Sequence, residues 1–225
     1  NIFVAQNGID YDLVVENIKT RKHSINSTTK ELTIASFSLA GAGIDKFNQT
    51  ISILKKRIPH IKGVFYSGEK VDESKFQSIK ILPKVSFLQM IQILMETDFT
   101  INFGDHHNRY FEKLEQKYGL HATEKKSFIN AKSGLKYYNA AVTKTLFFTS
   151  PEPKVYKELI NDGINGFIFH DINNLCSIIL NVYKNQNLIK NMTKFAEEEV
   201  LSKYSLNTTI LEYLFTLQKI EELKN

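Results

Sequence analysis

Along this chain apolar residues fall alternately into short continuous runs and into longer stretches with a helical period. ELTIAS (31–36) reads as a buried strand, and LAGAG (39–43) as the glycine-rich turn after it. From Ile44 to about Arg57 the period becomes helical, with Phe47, Ile51 and Leu54 on one face, and Pro59 ends the helix. IKGVFYSG (61–68) and IKILPKV (79–85) are the second and third strands, FLQMIQILMET (87–97) is a helix, and DFTINFG (98–104) is a fourth strand. A polar stretch, 105–128, follows, in which RYFEKLEQKYG reads as a helical excursion. GLKYYNAAV (134–142) is helical again and TLFFTS (145–150) is a fifth strand.

KELINDGINGFIFHD (157–171) brings a helix abruptly to an apolar strand. Lys157–Asn161 reads as the end of the helix, Gly163 as its left-handed cap, and Asn165-Gly166 as a second turn before Phe167–Phe169 enters the sheet. The N-terminal side of that helix, near Ser150–Pro153, is expected to border a ligand cleft. LCSIILNVY and ILEYLFTL supply the apolar faces of the closing helices. Strands alternating with helices predict an α/β fold: a Rossmann-like, doubly wound, mostly parallel sheet. Ligands in such sheets sit at the carboxyl ends of the strands, which directs attention to the loops at 36–44, 67–72, 84–87, 103–108, 130–136 and 149–153.

Composition adds few constraints. The 225 residues are 42% apolar and 24% charged, as expected of a soluble domain with a sizeable core. The formal net charge is +5, carried by scattered lysines with acidic neighbours, so stretches such as LKKRIPHIK (54–62) and EKK (124–126) read as solvated faces. That charge also suits a phosphate-bearing ligand or peripheral contact with an anionic membrane. No aromatic-and-basic interleaving points to nucleic acid, no apolar run spans a membrane, and no signal peptide opens the chain. The chain starts on Asn1 without a Met, which suggests a piece of a longer protein. Cys176 stands alone in an apolar helical pattern and reads as core.

Two motifs fall short of a site. Gly41-Ala42-Gly43 is half of a dinucleotide-binding fingerprint, but Lys46 occupies the third glycine position, which disfavours a dehydrogenase or epimerase domain. Asp105-His106-His107 lacks the spacing that would complete a metal site, so it reads first as a surface loop and second as a polar loop donating to a sugar or phosphate.

Longer stretches carry a resemblance. NGID (7–10), IASFSLAGAGIDKFNQTISILKKRIPHIKGVFYSGE (34–69), the segment 130–171 ending in the DGINGF turn, and KYSLN (203–207) together resemble the C-terminal, donor-binding domain of group 1 bacterial glycosyltransferases of the GT-B fold. The resemblance implies an entry linker over 1–30, a nucleotide-sugar-binding domain over 31–203 and a C-terminal helix over 204–225. It implies transfer of a sugar from a nucleotide diphosphate donor in cell-surface polysaccharide or lipopolysaccharide synthesis. The setting would be the cytoplasm, at the inner face of the membrane, with no cofactor or metal and with the acceptor held by a missing N-terminal domain. Donor-binding positions carried over are Ser36, Gly41 and Gly43 in the first loop, Gly68 after the second strand, and Lys84 and Val85 on the base side. Lys132, Ser133 and Lys136 match a lysine-serine segment, Asn139 falls on a ribose-binding position, and Ser150 lies in the loop after the fifth strand. Glu158 has two readings, facing the donor or facing solvent.

The chain also departs from the family. Phe37 and Ala42 stand where many members carry an Arg and a Lys for the diphosphate, and the paired-glutamate motif falls on Ala131 and Asn139. An amide still offers a donor and an acceptor to a hydroxyl, but no carboxylate charge. These departures leave open a second reading, a non-catalytic GT-B-like subunit that supports an active glycosyltransferase.

Overall fold

The computed structural model describes residues 31–38, 41, 43–104, 134–152, 154–211 and 214. The expected helical excursion at 109–119, the entry segment 1–30 and most of the C-terminal segment lie outside them. In chain order the elements are β1 (Leu32–Ser38), α1 (Ile44–Lys55), β2 (Ile61–Ser67), β3 (Ile79–Pro83), α2 (Phe87–Met95), β4 (Phe99–Asn102), α3 (Leu135–Val142), β5 (Leu146–Thr149), α4 (Val155–Leu159), β6 (Phe167–Ile168), α5 (Ile172–Val182) and α6 (Gln186–Tyr204).

The strands form one six-stranded sheet in the order β3-β2-β1-β4-β5-β6, and every pairing is parallel. The chain winds outward from β1 to β3, then returns to lay β4 on the other side of β1. The crevice between the carboxyl ends of β1 and β4 is therefore the topological switch point.

Two cores flank the sheet. On one face Phe47, Ile51 and Leu54 of α1 and Leu175 and Ile179 of α5 pack on Phe65, Phe99 and Phe148. The helical period read from the sequence thus marks the buried face of α1, where each fully buried side chain contributes about 1.5–3 kcal/mol. Gly63 lets α1 lie close on β2, because a Cβ there would stand 2.6 Å from Ile51 Cγ1. On the other face α2, α3 and α6 bury Ile91, Tyr137, Tyr138, Phe147 and Val200, and Tyr138 stacks on Tyr204 with centroids 4.8 Å apart. Cys176 is buried, and burial pushes its thiol up to about 11, so it is an inert core residue. No helix among the described residues is long and apolar enough to cross a membrane.

The helix before the DGINGF turn differs from expectation. It is α4, Val155–Leu159, and Ile160 is already extended (φ −99°, ψ 115°). Gly163, at φ 78°, is therefore not the helix cap. It sits inside a single turn, where its N–H donates to the Gly166 carbonyl at 2.9 Å. The turn is held by Asn165, which is 1% exposed. Its Oδ1 accepts from the Asn161 N–H at 2.8 Å, and its Nδ2 donates to the Leu159 carbonyl at 2.9 Å and to Glu199 Oε2 at 2.6 Å. Glu199 Oε1 also accepts from Lys203 at 2.8 Å, so one carboxylate on α6 anchors the turn. The third strand ends at Pro83 and not at Val85, and the apolar face expected from ILEYLFTL is exposed at Ile210, Leu211 and Leu214.

This architecture predicts that Asn165→Ala, which leaves the Leu159 carbonyl and the Asn161 N–H without their side-chain partner and takes one donor from Glu199, lowers stability by about 2–4 kcal/mol. Chemical denaturation measures it, and a change within experimental error would contradict the role given to the turn.

Candidate functional site

The strand register sets out a row of residues across the carboxyl edge. Phe37 pairs with Tyr66, and Asn102 pairs with Thr149. The β1–β4 register, Ile34 with Phe99 and Ala35 with Thr100, continues to place Phe37 beside Asn102. Because side chains alternate between faces, Tyr66, Phe37, Asn102 and Thr149 share the face that α3 covers. Phe37 stacks on Tyr66 with centroids 4.8 Å apart and 9° between planes. Asn102 Nδ2 donates to Thr149 Oγ1 at 3.1 Å.

Lys136, in the first turn of α3, reaches down to this row. Its Nζ donates to the Phe37 carbonyl at 2.9 Å and to Asn102 Oδ1 at 3.1 Å. A positive charge thus stands between the ends of β1 and β4. Gly134 caps α3 with no side-chain hydrogen bond, and a Cβ there would make the Leu159 side chain of α4 shift. Asn139 lies three residues beyond Lys136, on the same side of the helix. It is 5% exposed, and its Oδ1 is buried with no donor among the described residues. A buried carbonyl oxygen without a donor is costly, by about 1–3 kcal/mol, which makes it a candidate acceptor for a ligand hydroxyl.

The loop from β1 to α1 completes the edge. Gly43 begins α1 in the left-handed region (φ 82°), a conformation that side-chain-bearing residues resist, and no side chain caps the helix. Gly41, also left-handed, sits over the end of β2 near Ser67 and Val71. Uncapped first-turn N–H groups of this kind favour anions, an attraction that Asp45 in the same turn reduces.

The remaining expected positions are scattered. Ser36 is buried and donates to the Ile101 carbonyl at 2.9 Å. Gly68 is exposed just past β2, its N–H donating to the Ser38 carbonyl at 3.0 Å. Lys84 is exposed beyond the outer strand β3, while Val85 packs against Ala35, Val64 and Tyr66. Ser150 lines a cleft on the α1–α5 side of the sheet, and its Oγ donates to the Glu152 carbonyl at 3.0 Å. Glu158 is exposed on α4 and pairs with Lys154 at 3.6 Å. Lys132, Ser133, Ala42, Ala131 and the Asp105-His106-His107 motif lie outside the described residues.

Asn102 and Thr149 escaped the sequence reading. The signal for each was a polar residue at the end of a largely apolar strand, in TINFG and in LFFTS.

The sequence matches no protein-family model and no curated protein. Solved structures do match. A variant of S. aureus TarM in complex with fondaparinux, α-GlcNAc-glycerol and UDP aligns with TM-score 0.63 at 15% identity, over 95% of this chain and 39% of that one. Anabaena HepE in complex with UDP-glucose aligns with TM-score 0.65 at 14% identity, over 96% of this chain and 57% of that one. The C-terminal domain of the group 1 glycosyl transferase LpcC from Francisella tularensis aligns with TM-score 0.58 at 11% identity, over 92% of this chain and 100% of that domain. The chain therefore has the Rossmann-like fold of GT-B glycosyltransferase domains, and it spans less than half of TarM and a little over half of HepE.

Lys136→Met would strip the Phe37 carbonyl and Asn102 of a charged donor. Stability is expected to fall by about 1.5–3 kcal/mol, read from denaturant midpoints. An unchanged midpoint would mean that the ammonium does not tie α3 to the sheet.

Proposed function

We propose that the edge between β1 and β4 binds a nucleoside-diphosphate sugar, and that the chain is the donor half of a glycosyltransferase. The observation that carries this is the pairing on one side of α3 of the Lys136 ammonium with the orphaned, buried Asn139 Oδ1, beside an uncapped helix start at the switch point.

The chemistry follows from the charges. As the bond from the anomeric carbon to the diphosphate breaks, negative charge develops on the departing phosphate oxygens. An ammonium and backbone N–H groups aimed at that oxygen stabilise the charge as it forms. Lys136, the first turn of α3 and the Gly41–Gly43 loop are the candidates here, which assigns the charge balance to the protein and not to a metal ion. The Asn139 oxygen would accept a hydrogen bond from a ribose or sugar hydroxyl. The acceptor and any general base belong to a further domain, entered through residues 1–30. Cell-surface polysaccharide or lipopolysaccharide synthesis at the inner face of the membrane is the setting this reading favours.

One observation favours the alternative, a non-catalytic GT-B-like subunit. Phe37 is stacked on Tyr66, so an apolar ring pair fills a place where a diphosphate-binding cation would be expected.

Calorimetric titration with UDP, GDP, ADP, CDP and dTDP separates the two. Donor binding predicts that one of them binds, that Lys136→Ala weakens it by about tenfold or more, a loss of about 1.4 kcal/mol, and that Lys136→Arg restores part of it. No binding by any of them, from protein shown to be folded, supports the subunit reading.

A further inference from the structure

A cleft of about 340 Å³ opens on the opposite face of the sheet from Lys136, between α1 and the segment linking β6 to α5. Its volume is at the lower end of the roughly 300–1,000 Å³ typical of small-molecule sites. The floor is apolar. Phe103 and Phe169 meet edge to face, with centroids 5.5 Å apart and planes at 70°, and both are buried. The edge contact of Phe103 with Phe47 fixes it from behind. The walls are polar: Lys46 and Gln49 rise from one face of α1, His170, Asp171 and Asn173 from the opposite side, and Ser150 closes one end.

Charge decides what such a cleft admits. The N-terminus of α5 borders it, and that position is already filled by the Asp171 carboxylate, which accepts from the Asn174 N–H at 2.8 Å. Asn174 Oδ1 in turn accepts from the His170 N–H at 3.1 Å, so the segment is internally bonded. A fixed carboxylate at the helix start repels an incoming anion. A phosphate is therefore a poor fit. The amides of Gln49 and Asn173 are exposed on opposing walls, and each offers a paired donor and acceptor.

An apolar floor, planar amides on both walls and a hydroxyl together match a ring that carries C–H groups on its face and hydroxyls around its rim. We propose that this cleft binds a neutral saccharide of one or two rings, at a site separate from the nucleotide edge. The inference does not need the donor reading. If that reading holds, this second site is distinct from the acceptor site of the further domain and would hold a glycan sugar remote from the reacting end while the nucleotide sugar lies across the sheet.

The test is saturation-transfer NMR on the whole chain with methyl glycosides of glucose, galactose, mannose, N-acetylglucosamine and N-acetylgalactosamine. The expected result is transfer to the ring C–H protons of at least one glycoside, persisting with saturating nucleoside diphosphate. The double variant Gln49→Ala/Asn173→Ala should weaken it about tenfold, from the loss of both amide hydrogen bonds. Both positions are exposed, so the variant keeps the fold and its nucleotide binding. No transfer from any glycoside to folded protein overturns the proposal, as does binding that survives the double variant or is displaced by inorganic phosphate. A glycoside that binds to a protein with no affinity for nucleoside diphosphates would support this site and count against the donor reading alone.

Discussion

The Lys136 ammonium joins elements that the chain visits far apart. The side chain belongs to α3, the Phe37 carbonyl to β1 and the Asn102 amide to β4, and the bonds of 2.9 and 3.1 Å meet where the strand order reverses. The winding of the sheet alone would leave an open crevice at that point. The lysine fixes the start of α3 over it, and in doing so sets where the helix points its first-turn N–H groups and where Asn139 lies. Asn102 passes the constraint on to β5 through Thr149. The same ammonium is a strut and, under the proposed donor reading, a charge facing the ligand, so binding and local order should respond together when it is altered.

A second polar junction supports the same helix from behind. Tyr137 of α3 donates to Glu199, and burial, then the Glu199 charge, holds its phenol far above the usual range. Glu199 is also the partner of Asn165 in the DGINGF turn. The sequence signature that most resembles the family therefore acts through architecture: its asparagine ties α4 to α6, with α3 against the same carboxylate. A motif can mark a family through the fold it stabilises as readily as through a ligand it touches.

The alternation of strands and helices was legible because each element buries one periodic face, as the buried row Phe47, Ile51 and Leu54 illustrates. What escaped depends on contacts distant in sequence. Gly163 looked like a helix cap because a left-handed glycine after a helical run is the local rule. Yet α4 had already ended, and the hydrogen bonds of Asn165 reach a residue 34 positions away. Lys136 could be singled out from the sequence, but its role as a strut could not, since its partner Phe37 is 99 positions away. Asn102 and Thr149 are polar residues at the ends of buried strands, and only the register that sets them side by side gives them meaning. The loss of the expected cation at Phe37 was plain in the sequence. The stack it forms with Tyr66 was not.

Amide chemical-shift mapping of the isotopically labelled chain against UDP and GDP tests most directly whether the β1–β4 edge is the nucleotide site. The account predicts perturbations concentrated at Gly41, Gly43 and the first turn of α3 from Gly134 to Lys136, with the amides of His170 to Asn173 unmoved. Perturbations confined to the α1–α5 cleft, or none from either nucleotide at saturating concentration, would contradict it.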